Sequence, residues 1–482
     1  MAPYYLPIFL LLSTTPLFIH ASSKSDLPVG YRLTLAIPSE YTSGFIGRAY
    51  LMENDINKPT FRAALSVESV EAGKHSCSLE VFIGDVRVWN SGHYSRFLVS
   101  DECILEMTAD GDLQLKGPGD RVGWRTGTSG QNVERMQMLR TGNMVLVDAE
   151  NSIKWQSFNF PTDTMLWGQR LDVATRLTSF PRNSTYFYSF EIQHDRVALF
   201  LNSGQFKYSY WEFRPSKNRN ITYVQLGWRG LELLDVHGKK IAQVLPFRRP
   251  GQEAPRFLAL NNGTGNMGLY YYSPEEAGFS PDFRAVNDTC SLPTACRPYG
   301  ICTFSNDCSC IRFTTGTGSH NEQGSQCGNE LSEDPCEGLG RFEMVELDGV
   351  TSVLQGGSMG INMSKGECRR RCLEDCTCLA ALYDFRNFSG ASRCYSYGVM
   401  VGIRQIDRSR GLAFMVKVPK GAAQSGGRGR SNPKRWVLVL VGVVDGIIIV
   451  MVAGGVVYYY VIRKRRERGS NMASGNPPTE GI

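Results

Sequence analysis

The chain has 482 residues, 42% hydrophobic and 20% charged, too long for one core and too ordinary in composition for a disordered polymer, so three or four modules are expected. Its formal charge of +6 is concentrated in residues 428–482, where nine Lys/Arg face only Asp445, Glu467 and Glu480, and everything before them is neutral. A nucleic-acid-binding role, which needs a basic face, has no support.

The chain opens on "YYLPIFLLLSTTPLFIHASS", an apolar run of signal-peptide length with small residues at 21–23 where a peptidase could cut, although no Lys or Arg precedes it. A signal peptide over residues 1–23 is expected. From about residue 30 to 285 helical periodicity is nearly absent. Short alternating or β-branched stretches such as "CSLEVFIGDVRVWN", "CILEMTADGDLQL", "GNMVLVD" and "SIKWQSF" are bounded by Gly, Asn, Asp and Pro, which predicts an all-β sandwich, barrel or prism. Repetition favours the prism: "LEMTADGDLQL" and "QMLRTGNMVLV" place a Gly-Asp or Gly-Asn turn before an alternating strand some thirty residues apart. The stretch "FLALNNGTGNMGLYYY" repeats the device in a more diverged β unit over 171–285.

Cys290, Cys296, Cys302, Cys308, Cys310 and Cys327 are crowded into a segment, 286–330, with too few apolar residues to bury a core, so disulfides must hold it. A zinc site would need well-placed histidines, which the segment lacks. Beyond it, in 336–418, Ser364 and Glu367 form a capping box that predicts a helix starting near Lys365. On that helix Cys368, Cys372 and Cys376 recur every fourth residue and are expected on one face. A linker, 419–435, precedes "WVLVLVGVVDGIIIVMVAGGVVYYYVI", residues 436–462. This run is long enough to cross a bilayer and carries Trp436 and Tyr458, Tyr459 and Tyr460 at its two ends.

Orientation follows from chemistry. The denser basic cluster comes after the span, and all fourteen cysteines and six Asn-x-Ser/Thr sequons (Asn183, Asn220, Asn262, Asn287, Asn362 and Asn387) come before it. A type I single-pass plasma-membrane protein is expected, with an extracellular, glycosylated, disulfide-rich ectodomain and a short cytoplasmic tail, 463–482. Within the span Gly442 and Gly446 make a GxxxG contact surface with Asp445 inside it; the Asp either pairs with a partner span or is simply hydrated or protonated.

"MLRTGNMVLVDAENSIKWQSFNFPTDTMLWGQRL" resembles the bulb-type lectin domain of the plant S-locus-type (G-type lectin) receptor-like kinases, with "DVRVWN" in the place of that family's Val-Val-Trp strand. The resemblance implies a mainly β protein. Its parts would be a β-prism lectin domain over 30–170, a diverged lectin-like unit over 171–285, an EGF-like module, an α+β PAN/apple domain and one transmembrane helix. It implies disulfides Cys290–Cys302, Cys296–Cys308, Cys310–Cys327, Cys368–Cys394 and Cys372–Cys378. Pairing Cys336 with Cys376 and Cys77 with Cys103 uses the remaining four.

The family's mannose motif, Gln-x-Asp-x-Asn-x-Val-x-Tyr, places amide and carboxylate groups on one strand face above an apolar floor. Laid on this chain it falls on Thr108, Asp110, Asp112 and Gln114 in one repeat and on Asn143 and Val145 in the other, and neither copy is intact. The same residues also read as turn formers. The family's kinase is not found: no Gly-rich loop and no catalytic-loop Asp appear. Six scattered histidines (His20, His75, His93, His194, His237 and His320) and the lack of metal-ligand spacing point to no enzyme and no cofactor. The expected function is a receptor-like protein that binds a glycan, glycoprotein or polypeptide and works through a partner receptor kinase or a PAN-mediated homodimer. The alternative is a tether between membrane and cell-wall polysaccharide.

Overall fold

The computed structural model describes residues 26–38, 44–54, 59–71, 73–179, 186–216, 219–227, 229–244, 256–311, 341–356, 360–385, 392–407, 411–420 and 449–464. The chain divides into two units, residues 1–311 with 321–419, and residues 312–320 with 420–482.

In the first unit, residues 26–156 form three antiparallel sheets. One joins Asp26–Pro28, Arg135–Met138, Met144–Val147 and Ile153–Gln156. A second joins Arg32–Ala36, Glu102–Met107, Leu113–Gly117 and Arg121–Arg125. The third joins Ile46–Asn54, Phe61–Glu71, Lys74–Ile83 and Val86–Asn90, with Phe97–Val99 added beside Lys74–Ile83. Each alternating stretch buries one face in a shared apolar core that includes Leu65, Leu79, Val81, Leu105, Leu115, Met136 and Leu146.

At its centre stand three tryptophans, each from the last strand of a different sheet. Trp89, Trp124 and Trp155 meet pairwise edge to face, with ring centroids 6.2 Å apart for Trp89 and Trp124 and 5.9 Å for each of the other two pairs. Three sheets around one axis need a large, rigid side chain from each, and the aromatic quadrupole favours this T-shaped contact. Cys77 and Cys103 are bonded, fastening the third sheet to the second.

The prism is then built a second time. Three short strands in succession, Thr164–Leu166, Arg170–Asp172 and Arg176–Thr178, each start a separate four-stranded sheet. The first continues with Arg256–Leu260, Met267–Ser273 and Gly278–Arg284, the second with Tyr223–Gly227, Gly230–Leu234 and Lys240–Val244, and the third with Tyr186–Ile192, Val197–Ser203 and Phe206–Phe213. The expected β unit at 171–285 is therefore three sheets, and its first strand lies a few residues earlier. Its core is aromatic at the centre, where Tyr188 and Tyr210 meet edge to face at 6.2 Å and the Tyr210 hydroxyl donates to the Gly265 carbonyl.

In the cysteine-rich segment Cys290 is bonded to Cys302 and Cys296 to Cys308. Asp288 is spent on local contacts: its carboxylate accepts from the Cys290 N–H (3.1 Å) and the Ser291 hydroxyl (2.8 Å). The next segment is a five-stranded sheet, ordered Phe342–Leu347, Leu412–Pro419, Ala380–Asp384, Arg393–Tyr397 and Ile361–Asn362, with the helix Lys365–Glu374 beside it. The capping box forms as expected, Ser364 accepting from the Glu367 N–H while Glu367 accepts from the Ser364 N–H.

Cys368 and Cys372 are fully buried and bonded to Cys394 and Cys378. Cys376 departs from the one-face expectation. The helix stops at Glu374, because Asp375 turns extended and its carboxylate accepts from the Thr377 N–H and hydroxyl, so Cys376 lies beyond the helix end. The last carbonyls are capped by a buried lysine, Lys417, whose Nζ donates to Cys372 O (3.2 Å) and Asp375 O (3.0 Å). Cys310 and Cys376 are also disulfide-bonded; the partners expected for them, Cys327 and Cys336, lie outside the described residues.

The cysteine-rich segment and the helix-bearing segment are not separate beads. Gly300–Cys302 pairs in parallel with Ile403–Gln405 in one four-stranded sheet that also holds Cys308–Cys310 and Val350–Ser352. The second prism is joined to it as well: Ser209 and Gln355 exchange backbone hydrogen bonds (2.8 and 2.6 Å), and the Tyr208 hydroxyl accepts from the Gly398 N–H (2.7 Å). A Cβ on Gly398 would stand 2.3 Å from the Phe206 ring. Gly398→Val is expected to lower the ectodomain's stability by about 1–3 kcal/mol through overpacking. Chemical unfolding would measure it, and a loss below about 0.5 kcal/mol would show that the junction yields freely.

In the second unit residues 449–464 are helical. The remainder of the expected span, with Gly442, Asp445 and Gly446, lies outside the described residues. Among the described residues no helix is long and apolar enough to cross a membrane.

Candidate saccharide-binding site

The residues laid out by the mannose motif sit on hairpin turns of one kind. Thr108 and Asp112 close a turn (Thr108 N–H to Asp112 O, 2.9 Å; Gly111 N–H to Thr108 O, 3.0 Å), and Leu139 and Asn143 close its twin at 2.9 and 3.0 Å. Both need a left-handed residue before the returning strand, which Gly111 (φ 87°) and Gly142 (φ 80°) supply. The neighbouring turn closed by Asp148 and Ser152 puts Asn151 in that conformation at φ 64°.

In the first two turns the residue after the left-handed glycine turns its polar group inward. Asp112 is buried, and its Oδ1 accepts from the Gly127 N–H (2.7 Å), the Thr126 hydroxyl (2.9 Å) and the Thr128 N–H (3.1 Å), while its Oδ2 accepts from Gln114 Nε2 (2.9 Å). Burial pushes this carboxyl up. The four hydrogen bonds more than offset it and hold Asp112 below the usual carboxylate range. Asn143 does the same work with an amide. Its Oδ1 accepts from the Phe158 N–H and the Ser157 hydroxyl, both at 3.2 Å, and its Nδ2 donates to Gln156 Oε1 at 2.7 Å. Asp112 and Asn143 thus latch each hairpin to the stretch that follows the fourth strand of its sheet.

Asp110 differs. It is exposed at the tip of the first turn, and hydrogen bonds from Ser129 and Thr108 to its carboxylate hold it below its ordinary value. Thr108, Asp110, Asp112 and Gln114 therefore stand together, with Gln114 half-buried on the strand Leu113–Gly117. Val145 is fully buried in a different sheet, paired with Gln137 and Gln156, so Asn143 and Val145 form a separate place.

Sequence reasoning overlooked the latch partners Thr126, Gly127, Thr128, Gln156 and Ser157. A signal for them exists, since one interval of 31 residues separates Gly111 from Gly142, Asp112 from Asn143 and Trp124 from Trp155. Of the sequon asparagines, Asn220, Asn262, Asn287 and Asn362 are exposed, and Asn183 and Asn387 lie outside the described residues.

A family model described as D-mannose binding lectin matches residues 88–185, from the strand of Trp89 through the whole of the latch region. Among curated proteins, a PAN domain-containing protein of Arabidopsis thaliana is 25% identical over 66% of this chain and 64% of its own length. A G-type lectin S-receptor-like serine/threonine-protein kinase, SD2-5 of Arabidopsis thaliana, is 23% identical over 73% of this chain and 43% of its own length. An EP1-like glycoprotein of the same plant is 25% identical over 70% of this chain and 79% of its own length. The chain thus spans less than two thirds of the first two. Residues 88–185 belong to the lectin-type class that the three-sheet prism and its turns describe. As a whole the chain is similar to S-locus-type lectin receptor-like proteins.

Proposed function

We propose that this chain is a cell-surface receptor-like protein that binds a glycan or glycoprotein outside the cell. The observation that supports it best is the lectin-type match on a prism whose first turn presents the exposed Asp110 carboxylate near the half-buried Gln114 amide. The likeness to receptor kinases supports action through, or in competition with, a partner receptor kinase, and homodimerisation through the PAN-like segment is the companion proposal. Signal peptide, span and type I orientation belong to the same reading. In it Asp445, flanked by Gly442 and Gly446, contacts the partner's span.

The test is the full chain in detergent, applied to an array of mannose-bearing and cell-wall glycans. Retention of a glycan that is lost on Asp110→Ala combined with Gln114→Ala is expected; failure to retain any would overturn the reading. Capture from intact membranes through a C-terminal tag should bring down a kinase with the native chain but not with Asp445→Leu. A chain that functions normally with its whole span replaced by a neutral helix would favour the polysaccharide tether instead.

A further inference from the structure

A cleft separate from those turns opens at the end of the third sheet. Glu68, Arg87, Asn90, His93, Arg96 and Asp163 line it together with Trp89. These groups are held in place by partners behind them. Arg87 Nη1 and Asn90 Nδ2 both donate to Oε1 of buried Glu80, at 2.9 and 2.7 Å. Asn90 Oδ1 accepts from the Gly92 N–H, and Trp89 Nε1 donates to the Phe160 carbonyl at 2.9 Å. His93 Nε2 lies 2.9 Å from Thr178 O and 3.0 Å from Thr178 Oγ1, which ties the cleft to the second prism.

The adjacent side chain, Tyr94, is 64% exposed yet fixed: its hydroxyl donates to Pro161 O at 2.8 Å and its ring stands edge-on to the His93 imidazole at 4.9 Å. An exposed aromatic face costs little entropy to use when it is already pinned, and it suits the apolar face of a sugar ring.

Two carboxylates, Glu68 and Asp163, oppose two guanidiniums, Arg87 and Arg96. Burial pushes the His93 imidazole below its ordinary value, against the pull of Asp163 and the Thr178 carbonyl, so it adds no charge at neutral pH. A charge-balanced set of strong donors and acceptors suits a neutral polyol, whose hydroxyls accept from a guanidinium while donating to a carboxylate. It does not suit an anion, which the carboxylates would repel.

The rim carries a second pointer. Asn262, in the sequon Asn262-Gly263-Thr264, donates from Nδ2 to Asp163 Oδ2 at 3.1 Å. N-glycosylation replaces one amide hydrogen and leaves the other, so this bond can persist and aim an attached sugar along the cleft wall.

From this arrangement we infer that the cleft is a second saccharide site, for a neutral sugar, distinct from the turn at Thr108 and Asp110. It deepens the glycan-binding reading without depending on those turn residues. The sugar comes either from the chain's own Asn262-linked glycan or from a free glycan.

The test compares the full glycosylated chain with Asn262→Gln by calorimetric titration with N,N′-diacetylchitobiose and methyl α-mannoside. Tyr94→Ala and Arg96→Ala, both at exposed positions, are made in each background, with thermal unfolding as the folding control. Binding that weakens about tenfold or more in these variants, and is untouched by Asp110→Ala with Gln114→Ala, supports the site. If only the Asn262→Gln chain binds, the native occupant is the chain's own glycan; if both bind, it is a free sugar. No binding in either chain, or binding indifferent to Tyr94 and Arg96, overturns the inference. Loss confined to the Asp110 and Gln114 variants would leave the turn as the saccharide site and dismiss the cleft.

Discussion

Trp155→Ala is expected to destabilise the ectodomain by about 3–5 kcal/mol, the range for truncating a large buried aromatic side chain. Trp155 is 7% exposed and touches both other tryptophans of the triad. It also stacks on Phe160, whose carbonyl receives the Trp89 indole N–H. Alanine therefore removes apolar burial, two T-shaped contacts and one stack together, and it leaves a cavity where three sheets meet. Because each tryptophan belongs to a different sheet, no single sheet can relax to fill the space. Guanidinium unfolding followed by circular dichroism measures the loss, and a change below about 1 kcal/mol would show that the triad is not the keystone of the prism.

Asp112→Ala is expected to cost about 2–3 kcal/mol, since it removes the acceptor of Thr126, Gly127 and buried Thr128 together. Asp112→Asn should cost far less, because Asn143 already performs the equivalent latch with an amide oxygen. The two variants also separate in pH dependence. The folded Asp112 carboxyl is held below its ordinary value, so the unfolded chain takes up the proton first as pH falls. Its contribution is fully present above an unfolded pKa of about 3.9 and is lost as pH drops through the lower folded value. Asp112→Asn should therefore flatten part of the acid limb of stability between neutrality and about pH 3, while the parallel drops from Asp110, Asp148 and Glu367 remain. An acid limb identical to that of the native chain would sink this account of the latch.

The latch also shows why the motif residues read ambiguously. A carboxylate or amide after a left-handed glycine is chemically suited both to sugar hydroxyls and to backbone N–H groups. Composition at Asp112 and Asn143 is the same in either case. Only the path of the following stretch, which brings Gly127 and Phe158 within reach, decides that these two groups turn inward. Asp110, one residue before the glycine, stays at the surface, which is why it and Gln114 rather than Asp112 carry the binding test.

Local physics was enough for much of the chain. Alternation of apolar and polar residues marks strands because successive side chains point to opposite faces, and the Gly-Asp and Gly-Asn turns follow from the demand for positive φ. The capping box from Ser364 to Glu367 placed the helix start, because one hydroxyl and one carboxylate three residues apart satisfy two orphan N–H groups. These signals need no distant partner. The tertiary structure alone decided what depends on distant partners: that three tryptophans share one axis, that Asp375 ends the helix before Cys376, and that Gly300–Cys302 adds a strand beside Ile403–Gln405. It also decided that a histidine, two arginines and two carboxylates meet beside a sequon, since Glu68, Asp163 and Asn262 are adjacent only after both prisms have formed. Backbone periodicity is written residue by residue, whereas the meeting of side chains from separate sheets is set by how those sheets pack.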